Sequence, residues 1–128
     1  MKEVIDAQLR LMKKYNLNGL IAMTPENFGY TTGVMVPTQV TVRSRHAIHI
    51  INELGKSETV VVNIEEGLVK SESWIDCNSI ESYNEFTQSP ILIAASKLVK
   101  LGLEGKRVGI EMNYIPYKDY LKLTEAVP

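Results

Sequence analysis

The apolar positions of this chain switch between helical and alternating spacing, and the switches mark its elements. Val4 to Tyr15 put Ile5, Leu9 and Met12 on one side, with Val4, Leu11 and Tyr15 beside them. Lys2, Asp6, Arg10 and Lys14 lie between, so the stretch predicts an amphipathic helix. Asn16 and Asn18-Gly19 end it, and Leu20-Ile21-Ala22-Met23 predicts a short buried strand. Thr24-Pro25 is a helix start: the threonine caps free N–H groups, and proline suits the first helical turn. Gly29 weakens that helix and Gly33 stops it. Met35 to Thr41 has no clear period and contains Pro37, which predicts a loop running into an edge strand.

Arg43 to Ile51 predicts a strand with Ile48 and Ile50 on one face and Ala47 and Ile51 on the other. Asn52 to Ser57, with Gly55, is a hairpin turn, and Thr59 to Ile64 is the partner strand. A short helix follows around Glu66 to Glu72, then a weak strand at Ser79 to Tyr83. Ser89-Pro90 opens the clearest helix, with an apolar face of Ile91, Leu92, Ala94, Ala95, Leu98 and Val99 and a stop at Gly102. Arg107 to Met112 reads as a buried strand. Pro116 opens a last helix carrying Tyr117, Tyr120, Leu121 and Thr124. The order α-β-α-β-β-α-β-α-β-α predicts a three-layer α/β/α domain, and the hairpin makes its central sheet mixed.

Composition narrows the class without naming a reaction. The 128 residues fit a single domain, and 45% hydrophobic with 23% charged residues excludes a disordered chain. The net charge of −1 argues against a nucleic-acid partner. Apolar runs such as Ile91–Ala95 are far too short to cross a membrane. A single cysteine, Cys77, and the lack of Asn-x-Ser/Thr point to a reducing, cytoplasmic location. There is no Gly-x-Gly-x-x-Gly, Walker loop, His-Glu-x-x-His, Gly-x-Ser-x-Gly or Cys-x-x-Cys. The pattern is that of an organised fold without an obvious reaction centre.

Two strings carry a resemblance. Asn18-Gly-Leu-Ile-Ala-Met-Thr-Pro-Glu-Asn-Phe-Gly-Tyr-Thr-Thr-Gly33 and Arg107-Val-Gly-Ile-Glu111, followed by a helix and Val127-Pro128, resemble the N-terminal domain of the creatinase/prolidase/aminopeptidase P family. That resemblance implies a ribonuclease H-like motif within the α/β layers and a single domain over residues 1–128. In the family the chemistry belongs to a second, pita-bread domain, where peptidase members carry a dinuclear divalent metal site. Nothing here matches that catalytic C-terminal domain, so the expectation is a non-catalytic domain separated from its hydrolase. The parent would cleave Xaa-Pro dipeptides or peptides, as Xaa-Pro dipeptidase or aminopeptidase P, or a guanidino compound, as creatinase. The domain's expected role is homodimer assembly and shaping of the substrate entrance. A free-standing flavodoxin-like module binding a small molecule or an anion is the alternative.

Few residues invite a chemical role. Three positions apart on a strand, His46 and His49 would face opposite ways, so no metal site is expected. Arg43 and Arg45, two apart, would share a face and could read a carboxylate at the substrate rim, a role the resemblance also implies. Glu65, Glu66 and Glu111 read as solvated charges or helix-start acids. Cys77 has no neighbouring base or cation in the local sequence. Trp74, Tyr114, Tyr117 and Tyr120 suit packing or interfaces. The uncharged stretch Gly33–Val40, with Met35 and Val36, is the candidate self-association surface. No catalytic residue and no cofactor is assigned to the chain itself.

Overall fold

The computed structural model describes residues 1–41 and 45–127, with Val40 and Thr41 described by backbone alone. Five strands form one mixed sheet in the order β4-β3-β2-β1-β5. They are β1 (Gly19–Ala22), β2 (Ile48–Asn52), β3 (Ser57–Val62), β4 (Ile80–Tyr83) and β5 (Val108–Gly109). β2 runs antiparallel to both β1 and β3, while β4 runs parallel to β3 and β5 parallel to β1. The start of β2 therefore lies beside the ends of the other four strands.

The predicted three layers are present. Alternation along the strands sends Ile21, Met23, Ile48, Ile50, Val60, Val62 and Tyr83 to one face. There they pack on Ile91, Ala94, Ala95 and Leu98 of α5 (Pro90–Lys100) and Leu123 of α6 (Tyr117–Ala126). The other face buries Phe28 of α2 (Pro25–Thr32) and Val69 of α4 (Glu66–Glu72) against Ala47, Val61 and Ile80. α1 (Lys2–Lys14) covers β1 and α2 beside them. The helix starts follow their local signals. Thr24 Oγ1 accepts from Asn27 N at 3.1 Å, and Ser89 Oγ accepts from Leu92 N. Gly33 closes α2 with φ +82°, where a Cβ would lie 2.6 Å from the Trp74 ring.

Four expectations about local structure need correction. Met35 to Thr41 does not lead into an edge strand; Pro37–Thr41 is a short helix, α3. Pro37 takes the first helical position, Glu65 accepts from Thr38 N at 3.2 Å, and Gln39 Nε2 donates to the Met23 carbonyl. β2 begins at Ile48 and does not include Arg45, His46 or Ala47, because Arg45 and His46 are drawn into side-chain contacts before the ladder starts; Arg43 and Ser44 lie outside the described residues. β3 begins at Ser57, two residues early, since Asn52 Oδ1 accepts from both Leu54 N and Lys56 N and tightens the turn. That places Glu58 inside the sheet. β5 keeps only two residues of the expected Arg107–Met112 strand, because the chain turns at Glu111.

Candidate functional site

The residues with chemical potential gather where β1, β3, β4 and β5 end and β2 begins. In open α/β sheets the carboxyl ends of strands are the usual place for ligands. His46 sits just ahead of β2 and is 4% exposed. Its Nε2 lies 2.9 Å from Asp119 Oδ2 in the first turn of α6. Its backbone carbonyl accepts the Tyr83 hydroxyl at 2.9 Å. Burial, and then the charge of Glu85, hold the Tyr83 phenol well above its ordinary range, so it stays a donor. Arg45, one residue earlier, makes a bidentate pair with Glu85: Nε to Oε2 at 2.7 Å and an Nη to Oε1 at 3.0 Å. Both side chains are less than a quarter exposed, at 23% and 19%. Two of the five Arg45 N–H donors are thus taken by Glu85 of its own chain, whose carboxylate offsets its charge. Arg43, its expected companion, lies outside the described residues.

A cleft of about 610 Å³ opens beside this cluster. His46, Asp119 and Glu85 line it together with Lys118, Lys122 and the exposed ring of Phe86. Nothing in the local sequence marks Asp119 or Glu85. Each lies at an element end and reaches a partner 73 or 40 residues away, so no local spacing announces it.

The remaining candidates are dispersed. His49 faces the α1–α2 side, buried, with Nδ1 3.0 Å from Thr59 Oγ1. Burial pushes its pKa down to about 4, so it is neutral at pH 7. Glu111 is not a solvated charge. Its carboxylate accepts from Thr24 N and Asn27 Nδ2, both at 2.7 Å, and from Met23 N and Thr24 Oγ1, bracing the start of α2. Glu65 accepts from Thr38 N and Glu66 pairs with Lys70, so the three glutamates do not meet. Glu58, 6% exposed, holds Lys97 and Lys100 at 3.3 Å each, and Lys97 also pairs with Glu81 at 2.7 Å. Burial works to lower the Lys97 pKa, but its contacts with Glu81 and Glu58 outweigh that and raise it. Trp74 donates to the Thr31 carbonyl and packs beside Gly33, a structural role. Cys77 is an exposed free thiol. In the apolar stretch after α2, Met35 is 52% exposed, but Val36 is 1% exposed in the domain's own core. Val36 is therefore removed from the candidate interface, and Met35 is left.

Among the described residues, no group of three or more His, Cys, Asp and Glu is placed to hold a metal ion. His46 is engaged by Asp119 and His49 by Thr59. No described helix is long and apolar enough to cross a membrane.

The family profile described as Creatinase/Prolidase N-terminal domain matches residues 5–128. The chain belongs to the creatinase/prolidase N-terminal domain family. No curated protein sequence matches it significantly. Solved structures share the fold of this creatinase/prolidase domain at low identity. A prolidase from Pyrococcus horikoshii OT3 superposes with a TM-score of 0.71 and 18% identity, covering 98% of this chain and 30% of that one. A proline dipeptidase from Streptococcus agalactiae 2603V gives 0.77 and 13%, covering 98% and 88%. A domain of a dipeptidase from Streptococcus thermophilus gives 0.74 and 12%, covering 98% and 87%. The chain thus spans under a third of the Pyrococcus prolidase and most of the two streptococcal chains.

Proposed function

We propose that this is the non-catalytic N-terminal domain of a creatinase- or Xaa-Pro peptidase-like hydrolase, serving homodimer assembly and shaping the substrate entrance. The observation that carries the reading is the family match over residues 5–128, beside a superposition that takes up only 30% of the length of a prolidase chain. Hydrolysis would then fall to a further, metal-bearing catalytic domain, with which this domain would be partnered in a cytoplasmic enzyme. Met35, half-exposed and flexible in a stretch without charge, is the side chain offered to a second copy. Two-fold pairing is the commonest form of such association.

Sedimentation of the wild type and of Met35→Asp tests the assembly role. A dimer at about tens of micromolar, shifted to monomer by the added charge, is expected. A monomeric wild type, or a dimer indifferent to the substitution, removes Met35 from the interface. Turnover of an Xaa-Pro dipeptide or of creatine by this chain with added Mn²⁺, Co²⁺ or Zn²⁺ would overturn the non-catalytic reading.

A further inference from the structure

Asn18-Gly19, where the chain passes from α1 into β1, is the one Asn-Gly pair in the sequence. The fold makes use of both residues. A Cβ on Gly19 would lie 2.6 Å from Leu103 Cδ1 and 3.2 Å from the Ile51 carbonyl oxygen, so a side chain there would have to displace the buried Leu103. Asn18 holds three segments together. Its Nδ2 donates to Glu53 Oε2 at 2.9 Å, and its Oδ1 accepts from Arg107 N at 3.2 Å. Its backbone N–H donates to the Arg107 carbonyl at 2.7 Å, and its carbonyl accepts from Glu53 N at 3.0 Å. The approach to β1, the β2–β3 turn and the approach to β5 therefore meet at one amide.

An asparagine followed by glycine carries its own modification chemistry. The backbone nitrogen of the next residue attacks the side-chain carbonyl carbon, and glycine has no Cβ to obstruct the approach. The folded chain opposes that attack. Glu53 and Arg107 hold the Asn18 amide, while Gly19 is fixed in the sheet opposite Asn52 and Val108. β5, however, is only two residues long and forms an edge of the sheet, so this junction can open without global unfolding.

We propose that Asn18 is a deamidation site gated by opening of the β1–β5 junction, and that the product keeps the junction open. The Gly19 nitrogen gives up its proton and bonds to Asn18 Cγ while the Cγ–Nδ2 bond breaks and ammonia leaves. Water then opens the cyclic imide at either carbonyl, leaving an ordinary or a β-linked aspartate at position 18. The ordinary product puts a carboxylate where an amide now donates to Glu53. The β-linked product adds a backbone atom just before β1 and displaces its register. Both products oppose reclosure, so the change runs one way. The site stands apart from the assembly role, since it needs neither a second copy nor a catalytic domain.

Peptide mapping by mass spectrometry tests this on the 128-residue chain, incubated in mildly alkaline buffer with and without guanidinium chloride. In denaturant Asn18 should gain about 1 Da sooner than Asn78, whose successor is the more hindered Ser79. In native buffer the Asn18 rate should fall by about tenfold or more. Glu53→Ala, at an exposed turn position, removes the acceptor of Nδ2 and should raise the native rate several-fold. Asn18→Asp, the ordinary product made directly, should raise the unfolded fraction by about tenfold or more. Adding Glu53→Gln, whose amide can donate to the new carboxylate, should restore most of that loss. This double variant also keeps the comparison when the single one fails to fold. No modification of Asn18 in denaturant, or equal rates in the native and denatured chain, overturns the gated site. An unchanged native rate in Glu53→Ala does the same. Wild-type stability in Asn18→Asp, or no recovery in the double variant, overturns the one-way consequence.

Discussion

His49 makes the stability of this domain depend on pH in a defined direction. The ring is 2% exposed on β2, and its recorded side-chain partner is the hydroxyl of Thr59 across the ladder. Burial lowers its pKa from 6.5 to about 4. The unfolded chain therefore binds a proton between those values that the folded chain refuses. Stability from this group is fully present above about pH 7 and is lost progressively as pH falls toward 4. At about 1.4 kcal/mol per pH unit, the loss is about 2 kcal/mol by about pH 5 and levels near roughly 3 kcal/mol below pH 4. Urea unfolding between about pH 7 and pH 5 measures it before most carboxylates titrate. His49→Gln retains a hydrogen-bonding group but cannot titrate, and it leaves His46 untouched. The variant should lose stability at pH 7 yet show a flatter profile, so that the two curves converge as pH falls. Parallel curves across that window would refute the argument, since they would mean that His49 takes up its proton equally in both states.

Two further substitutions probe the frame around the site. Gly33→Ala should destabilise by about 2 kcal/mol or more, because it combines a left-handed backbone with contact against Trp74. Chemical unfolding measures this, and pairing it with Trp74→Ala should recover the steric part and leave the backbone part. Arg45→Lys keeps the charge but loses the bidentate geometry with Glu85, so a loss of roughly 1 kcal/mol is expected. A thermal midpoint unchanged from wild type would show that the pair adds nothing to the fold.

What the sequence made legible and what it hid follow from the range of the interactions involved. Thr24-Pro25, Ser89-Pro90 and Gly33 act within four residues of themselves, so the starts of α2 and α5 and the end of α2 were readable from spacing alone. The layering was readable too, because alternation in β2 and the apolar face of α5 each require a covered surface. Pro37 was read as an edge-strand residue because proline serves both strand edges and helix starts. What decides between them is Glu65, accepting from Thr38 N 27 residues earlier. Local sequence leaves Glu111 a solvated charge or a helix-start acid, because its donors on Met23, Thr24 and Asn27 come from a segment more than 80 residues earlier.

The candidate site is entirely of this second kind. Arg45 meets Glu85 and His46 meets Asp119 only because β2 runs antiparallel to its neighbours, which brings its first residues to the ends of the other strands. Strand direction is fixed by the whole sheet and by the hairpin at Asn52, not by any local spacing near His46. The same placement pairs Arg45 with Glu85 and leaves Lys118 and Lys122 as the cations of the cleft without ion pairs among the described residues. Charge at this end of the sheet is thus a property of topology. A one-residue slip in β2 would move His46, Ala47 and His49 to the wrong faces, burying a histidine against α5 and removing the pair with Asp119. The two cores on either side of the sheet hold that register, and through it they hold the site.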